Sequence, residues 1–146
     1  MIAIGSDHAG YEYKVLLTEL LSTLHLPYKD FGTASKQSTD YPDWGFAVAQ
    51  AVSKGECELG ILMCGTGIGM SIVANKVQGV RAAACESPTA ARLARQHNNA
   101  NVLCLGSRII GWELAVDIVK AFLSTTFESG GRHEQRVNKI HSLTQR

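Results

Sequence analysis

The strongest constraint on this chain is an alternation. Short apolar runs suited to strands alternate with longer stretches whose apolar residues recur at helical spacing. Strands are predicted over residues 2–4, 27–31, 59–64, 80–85 and 101–105. Helices are predicted over 11–24, 43–52, 69–75 and 111–123, with a last one from about 133. A further helix opens at Ser87-Pro88, where serine can cap and proline suits the first helical position. In the first helix the apolar stripe reads Val15, Leu16, Leu20, Leu21 and Leu24. Strict alternation of this kind closes as a parallel sheet with helices on both faces. The run 59–64 is apolar without interruption, as in a strand buried on both sides. Five strands fit a Rossmann-like three-layer α/β/α sandwich, and the order 2-1-3-4-5 is the expectation.

The length of 146 residues suits a single domain spanning 1–146. Lys plus Arg number 14 against 13 Asp plus Glu, so no polybasic surface for nucleic acid or membrane is expected. No stretch approaches the ~20 apolar residues of a membrane span. The first residues carry no basic segment ahead of an apolar run, so no secretory leader is expected. The cysteines at 57, 64, 85 and 104 form no C-x-x-C pair, which argues for reduced thiols in the cytoplasm and against a zinc site.

With the assumed order, the sheet reverses direction between strands 1 and 3, where such folds bind ligands beyond the carboxyl ends. Strand 1 runs out into Gly5-Ser6-Asp7-His8, and strand 3 into Cys64-Gly65-Thr66-Gly67-Ile68-Gly69. The glycines let backbone N–H groups approach an anion, although a tight strand-to-helix turn would use them as well. A dinucleotide site would want G-x-G-x-x-G, but Met70 holds the third glycine position. Glu86 lies near the spacing of a ribose-binding acid, so a nucleotide-binding module stays open as an alternative. Gly5 and Gly10 have P-loop spacing, yet Tyr11-Glu12 replaces the lysine and hydroxyl residue that motif needs.

Cys85 and Cys104 read as small core hydrophobes, and Cys57 has acidic neighbours that oppose a thiolate. Cys64 differs because it ends its strand at the mouth of the glycine loop, where it could serve as nucleophile or proton-abstracting base. His8 follows strand 1 directly, and His97-Asn98 follows a basic segment. An imidazole suits proton transfer near neutral pH. His25 and His141 read as surface residues. Arg132 and Arg136 stand four apart at a helix start, so their guanidinium groups can share a face and grip a phosphate. Pairing with Glu134 on a solvated face is the plainer reading. Together these groups suggest proton shuffling on a small phosphorylated substrate.

The motifs GSDHAG, TDYP at 39–42, CGTGIG at 64–69, ANK at 74–76, RQHN at 95–98, GSR at 106–108 and GGRHEQR occur in that order. In them the chain resembles type B ribose-5-phosphate isomerases, from the first strand to the last helix. The related galactose-6-phosphate isomerase subunits share the fold and several motifs. The resemblance implies a cytoplasmic enzyme of the pentose phosphate pathway. It would interconvert ribose 5-phosphate and ribulose 5-phosphate through a cis-enediolate, without metal or organic cofactor. Cys64 would be the base between C2 and C1, assisted by Thr66. The amides of Gly65, Thr66, Gly67, Ile68 and Gly69 would receive the enediolate charge, and His97 would open the furanose ring.

Asp7 and Asn98 would hold sugar hydroxyls, and Tyr41 would shape the pocket. His8, Arg132 and Arg136 would clamp the phosphate, with Arg108 reaching in from the neighbouring subunit's side. Some members use a glutamate after the glycine loop instead of the cysteine; Cys64 with Met70 matches the cysteine branch. The resemblance also implies a homodimer or a dimer of dimers with active sites shared between chains. Allose 6-phosphate and galactose 6-phosphate remain alternative substrates, because one more carbon changes discrimination by only ~1–3 kcal/mol.

Overall fold

The computed structural model describes residues 1–146. Its strands are β1 (Ile2–Ser6), β2 (Tyr28–Asp30), β3 (Leu59–Cys64), β4 (Ala82–Ala84) and β5 (Val102–Gly106). Its helices are α1 (Tyr11–Thr23), α2 (Tyr41–Ser53), α3 (Ile68–Ala74), α4 (Pro88–Asn98), α5 (Trp112–Ser124) and α6 (Arg132–Thr144). All strand pairs are parallel, within one five-stranded sheet. Ser87 caps α4 as its position predicts, its hydroxyl accepting the Ala90 N–H at 3.0 Å.

The strand order is 2-1-3-5-4, which corrects the expected 2-1-3-4-5. The reason lies in composition. β5 is Val-Leu-Cys-Leu-Gly and fully buried, whereas β4 is three alanines and only partly covered. The richer strand takes the interior and the poorer one the edge. β4 is also shorter than the predicted 80–85, and the Arg81 N–H just before it is taken by the Asn101 side-chain oxygen at 2.8 Å. The Asn75 side chain pairs with Ala82 like a strand residue, accepting its N–H at 2.7 Å and donating to its carbonyl at 3.0 Å. That amide blocks the open edge against further pairing.

Running back from β4 to β5 reverses the crossover, and a right-handed connection then puts α4 on the same face as α1. One core accordingly joins Leu17 and Leu21 of α1, Ala91 and Ala94 of α4, and Ile118 and Phe122 of α5. The other face carries Val48 and Val52 of α2 with Met70 and Ala74 of α3. The α1 stripe also departs from expectation. Lys14, Leu17 and Leu21 are buried, while Val15 and Leu24 are exposed. Lys14 is tolerated inside because its ammonium bonds both oxygens of Asp30, at 2.7 and 2.8 Å, and the Thr33 carbonyl. This contact ties α1 to the end of β2.

Candidate active site

Strands β1 and β3 are neighbours, so the loops leaving their carboxyl ends meet as the reversal point requires. Gly10 makes the close approach possible: a Cβ there would fall 2.5 Å from the Met63 carbonyl oxygen. Asp7 is buried, and one of its carboxylate oxygens accepts the Gly10 N–H at 3.0 Å. His8 accepts the Thr39 N–H on Nδ1 at 3.2 Å, which leaves Nε2 as the ring's open nitrogen. Thr39 is fixed in turn by the Trp44 indole N–H at 3.1 Å.

Cys64 ends β3 with only 5% of its surface exposed. The Gly67 N–H donates to its sulfur at 3.1 Å. Gly67 caps α3 in the left-handed region (φ +77°), and a Cβ would crowd the Leu105 backbone at 3.0 Å. The Thr66 hydroxyl accepts the Ile68 N–H at 3.2 Å. Of the five loop amides, those of Gly67 and Ile68 are therefore engaged within the loop itself. Tyr41 lies flat enough on Gly69 that a Cβ would meet its ring at 2.7 Å.

Arg108 donates its N–H to the Gly65 carbonyl at 2.9 Å, and its guanidinium lies over Gly65. It thus adjoins the glycine loop within its own chain. Ser107 braces the same corner, its hydroxyl donating to the Ala9 carbonyl at 2.7 Å and its N–H to the Cys64 carbonyl at 2.9 Å.

His97, Asn98, Arg132 and Arg136 do not join this group. α4 starts beyond the carboxyl end of β4 and runs back, so its last turn lies at the amino end of the sheet. Asn101, just beyond it, accepts the Gly60 N–H at 2.8 Å. From Gly60 to Cys64 the strand climbs about 13 Å. The set expected from the sequence is thus divided between two ends of one chain. At the second end, His97 stacks on His133 with ring centroids 4.1 Å apart and planes 8° from parallel. Arg132 and Arg136 are exposed, and neither has a carboxylate within salt-bridge distance. Glu134, their expected partner, instead accepts the Gly130 N–H at 2.8 Å.

The remaining cysteines behave as core thiols. Burial pushes the Cys85 thiol up to about 11, and it raises Cys104 and Cys57 as well. Glu86 is exposed at the end of β4, and β5 stands between it and the glycine loop. The swapped strand order thereby removes the acid that a nucleotide reading needs. The side chains of His97, Glu128 and His133 bring their ligand atoms within 4.8 Å of one another. Stacked imidazoles point their lone pairs in parallel, however, so one ion cannot lie along both.

Sequence reasoning gave no role to Lys14, nor to Thr39, Ser107 and His133, which lie within the motifs TDYP, GSR and GGRHEQR. Lys14 had a signal, since it falls three and seven residues before Leu17 and Leu21 on the buried face. Exposed apolar residues lie on the elements that adjoin the glycine loop: Ile68 and Ile72 on one face of α3, Phe46 on the adjoining α2, and Ile109 next to Arg108 in the chain. No helix is long and apolar enough to cross a membrane.

A parallel α/β sheet with a thiol, a glycine loop and an aspartate–histidine turn at its reversal point defines the class of small-molecule α/β enzymes. The family profile described as ribose/galactose isomerase matches residues 2–140. The chain belongs to that family. It is 49% identical to ribose-5-phosphate isomerase B of Escherichia coli, over 99% of this chain and 97% of that one. A solved ribose-5-phosphate isomerase B of Clostridium thermocellum superposes with a TM-score of 0.96 at 50% identity, covering 99% and 97% of the chains. The Mycoplasma genitalium enzyme with bound ribulose-5-phosphate gives 0.93 at 46% identity, covering 99% and 95%.

Proposed function

We propose that this chain is an aldose–ketose isomerase that interconverts D-ribose 5-phosphate and D-ribulose 5-phosphate in the cytoplasmic pentose phosphate pathway. The observation that carries the reading is Cys64, a thiol at the mouth of the glycine loop with an N–H aimed at its sulfur. As thiolate it takes the proton from C2 of the open-chain aldose and returns it to C1, while the O2 hydroxyl proton passes to O1 across the cis-enediolate. Negative charge gathers on the enediolate oxygens during that transfer. Loop donors fixed in advance stabilise it at that stage more than they stabilise the ground state. Thr66 assists beside the thiol.

His97 opens the furanose by protonating the ring oxygen and accepting the C1 hydroxyl proton. Asp7 and Asn98 hold sugar hydroxyls, and Tyr41 closes one wall. His8, Arg108, Arg132 and Arg136 hold the phosphate through charge and forked hydrogen bonds. A five-carbon sugar phosphate is shorter than the separation of about 13 Å between the two ends of the sheet. The site is therefore completed by a second copy, which brings its own His97 corner to the first copy's glycine loop. The apolar rim of Ile68, Ile72, Phe46 and Ile109 is the surface suited to that pairing.

Proton NMR of ribose 5-phosphate with the protein in heavy water tests the reading. Ribulose 5-phosphate carrying deuterium at C1 is the expected product. Neither ketose nor exchange, from folded protein with reduced thiols, would overturn it.

A further inference from the structure

His133 is tied to His97 more closely than a solvated helix face requires. The segment after α5 is strapped to the last turn of α4: Arg95 donates to the Thr125 carbonyl at 3.3 Å, and the Glu128 N–H to the Gln96 carbonyl at 3.0 Å. The Gln96 amide also bonds the Glu128 carboxylate. Gly130 is then pinned by Glu134, and α6 begins in the position that lays His133 face to face on His97. The His133 side chain is only 15% exposed, and Glu128 stands 3.6 Å from its Nε2. By contrast, Arg132 and Arg136 on the same turns point to solvent.

We propose that His133 is a positioning residue for His97: its ring fixes the plane of the His97 imidazole, and so the direction of the nitrogen that opens the sugar ring. A side chain on the last turn of a helix otherwise rotates freely, and general acid–base transfer fails when the proton donor is misplaced by about an ångström. The electrostatics agree. Burial, then the neighbouring His97 and Arg132, hold His133 below the ordinary histidine range; Arg136 adds to this and Glu128 opposes it. A neutral ring on its face places no like charge beside His97.

The proposal rests on the isomerase reading and is separable from it. Ribose 5-phosphate is cyclic and must be opened. Ribulose 5-phosphate is acyclic, since the hydroxyl that could close a five-membered ring carries the phosphate. Loss of ring positioning therefore slows ribose 5-phosphate turnover and spares the hydrogen–deuterium exchange at C1 of ribulose 5-phosphate. For His133→Ala the expected loss of kcat with ribose 5-phosphate is ~10- to 100-fold, with KM and the C1 exchange within about threefold of wild type. His133→Phe keeps a flat ring in the stack and should restore kcat to within about threefold of wild type.

Unchanged kcat in the alanine variant, or failure of phenylalanine to rescue it, overturns the proposal. So does an equal fall in C1 exchange, which would make His133 a support of the whole site. A rise in KM for both sugars at constant kcat would make it a phosphate contact instead. If wild-type protein gives neither turnover nor exchange, the isomerase reading itself has failed.

Discussion

The glycine loop and the corner between α4 and α6 hold the two halves of the proposed chemistry, and they are built in opposite ways. At the loop, backbone does most of the placing. Strand β3 is buried from Gly60 to Cys64, Gly10 and Gly67 permit contacts that a Cβ would forbid, and an amide is aimed at the Cys64 sulfur. At the corner, side chains place one another. His97 lies on His133, Gln96 holds Glu128, and two guanidinium groups face water with no acid beside them. The first region is a backbone-built seat, to which the proposed mechanism assigns the charge that develops during reaction. The second is a solvated cluster which, on the proposed reading, is completed by another copy. The contrast teaches that a complete set of functional residues on one chain need not make one site on that chain.

The comparison breaks most sharply at the thiol. Cys64→Ala should lower turnover of ribose 5-phosphate by ~1000-fold or more while leaving binding of the ketose measurable by calorimetry. Next comes the surface that would join the halves. Ile72 is 56% exposed, so Ile72→Lys should leave the fold intact. It should nonetheless abolish self-association in sedimentation velocity and cost more than ~10-fold in activity. The smallest effect is structural. Gly67→Ala forces an L residue into the left-handed region, at a cost of about 1–2 kcal/mol, read as a lower Tm. A comparable alanine substitution at Gly131, which has open space and extended backbone (φ −134°), should leave Tm nearly unchanged.

Most of the architecture was legible in the chain. The β3 span, the Ser87 cap and the break before α6 follow from local pattern, because apolar continuity and helix-start chemistry act over a few residues. The order of β4 and β5 depends on which strand deserves the interior, a competition between segments some twenty residues apart. Three alanines against Val-Leu-Cys-Leu was the available clue. Lys14 shares the helical spacing of Leu17 and Leu21, but its partners, Asp30 and Thr33, come together only through tertiary folding. At the site, the residue types announced their chemistry, and the resemblance supplied their roles. Their division between two ends of the sheet was not legible from spacing, since it follows from the direction in which α4 runs. The His97–His133 stack likewise depends on where the segment after α5 is strapped.

The central claim is that Cys64 of one copy works with His97 of another. Its most direct test is to co-express Cys64→Ala and His97→Ala chains with different tags and isolate the mixed dimer. Each parent variant should be nearly inactive with ribose 5-phosphate. The mixed dimer contains one site with both residues intact, so it should recover about half of the wild-type activity per dimer. A mixed dimer as inactive as its parents, or the absence of any mixed dimer, would contradict the account.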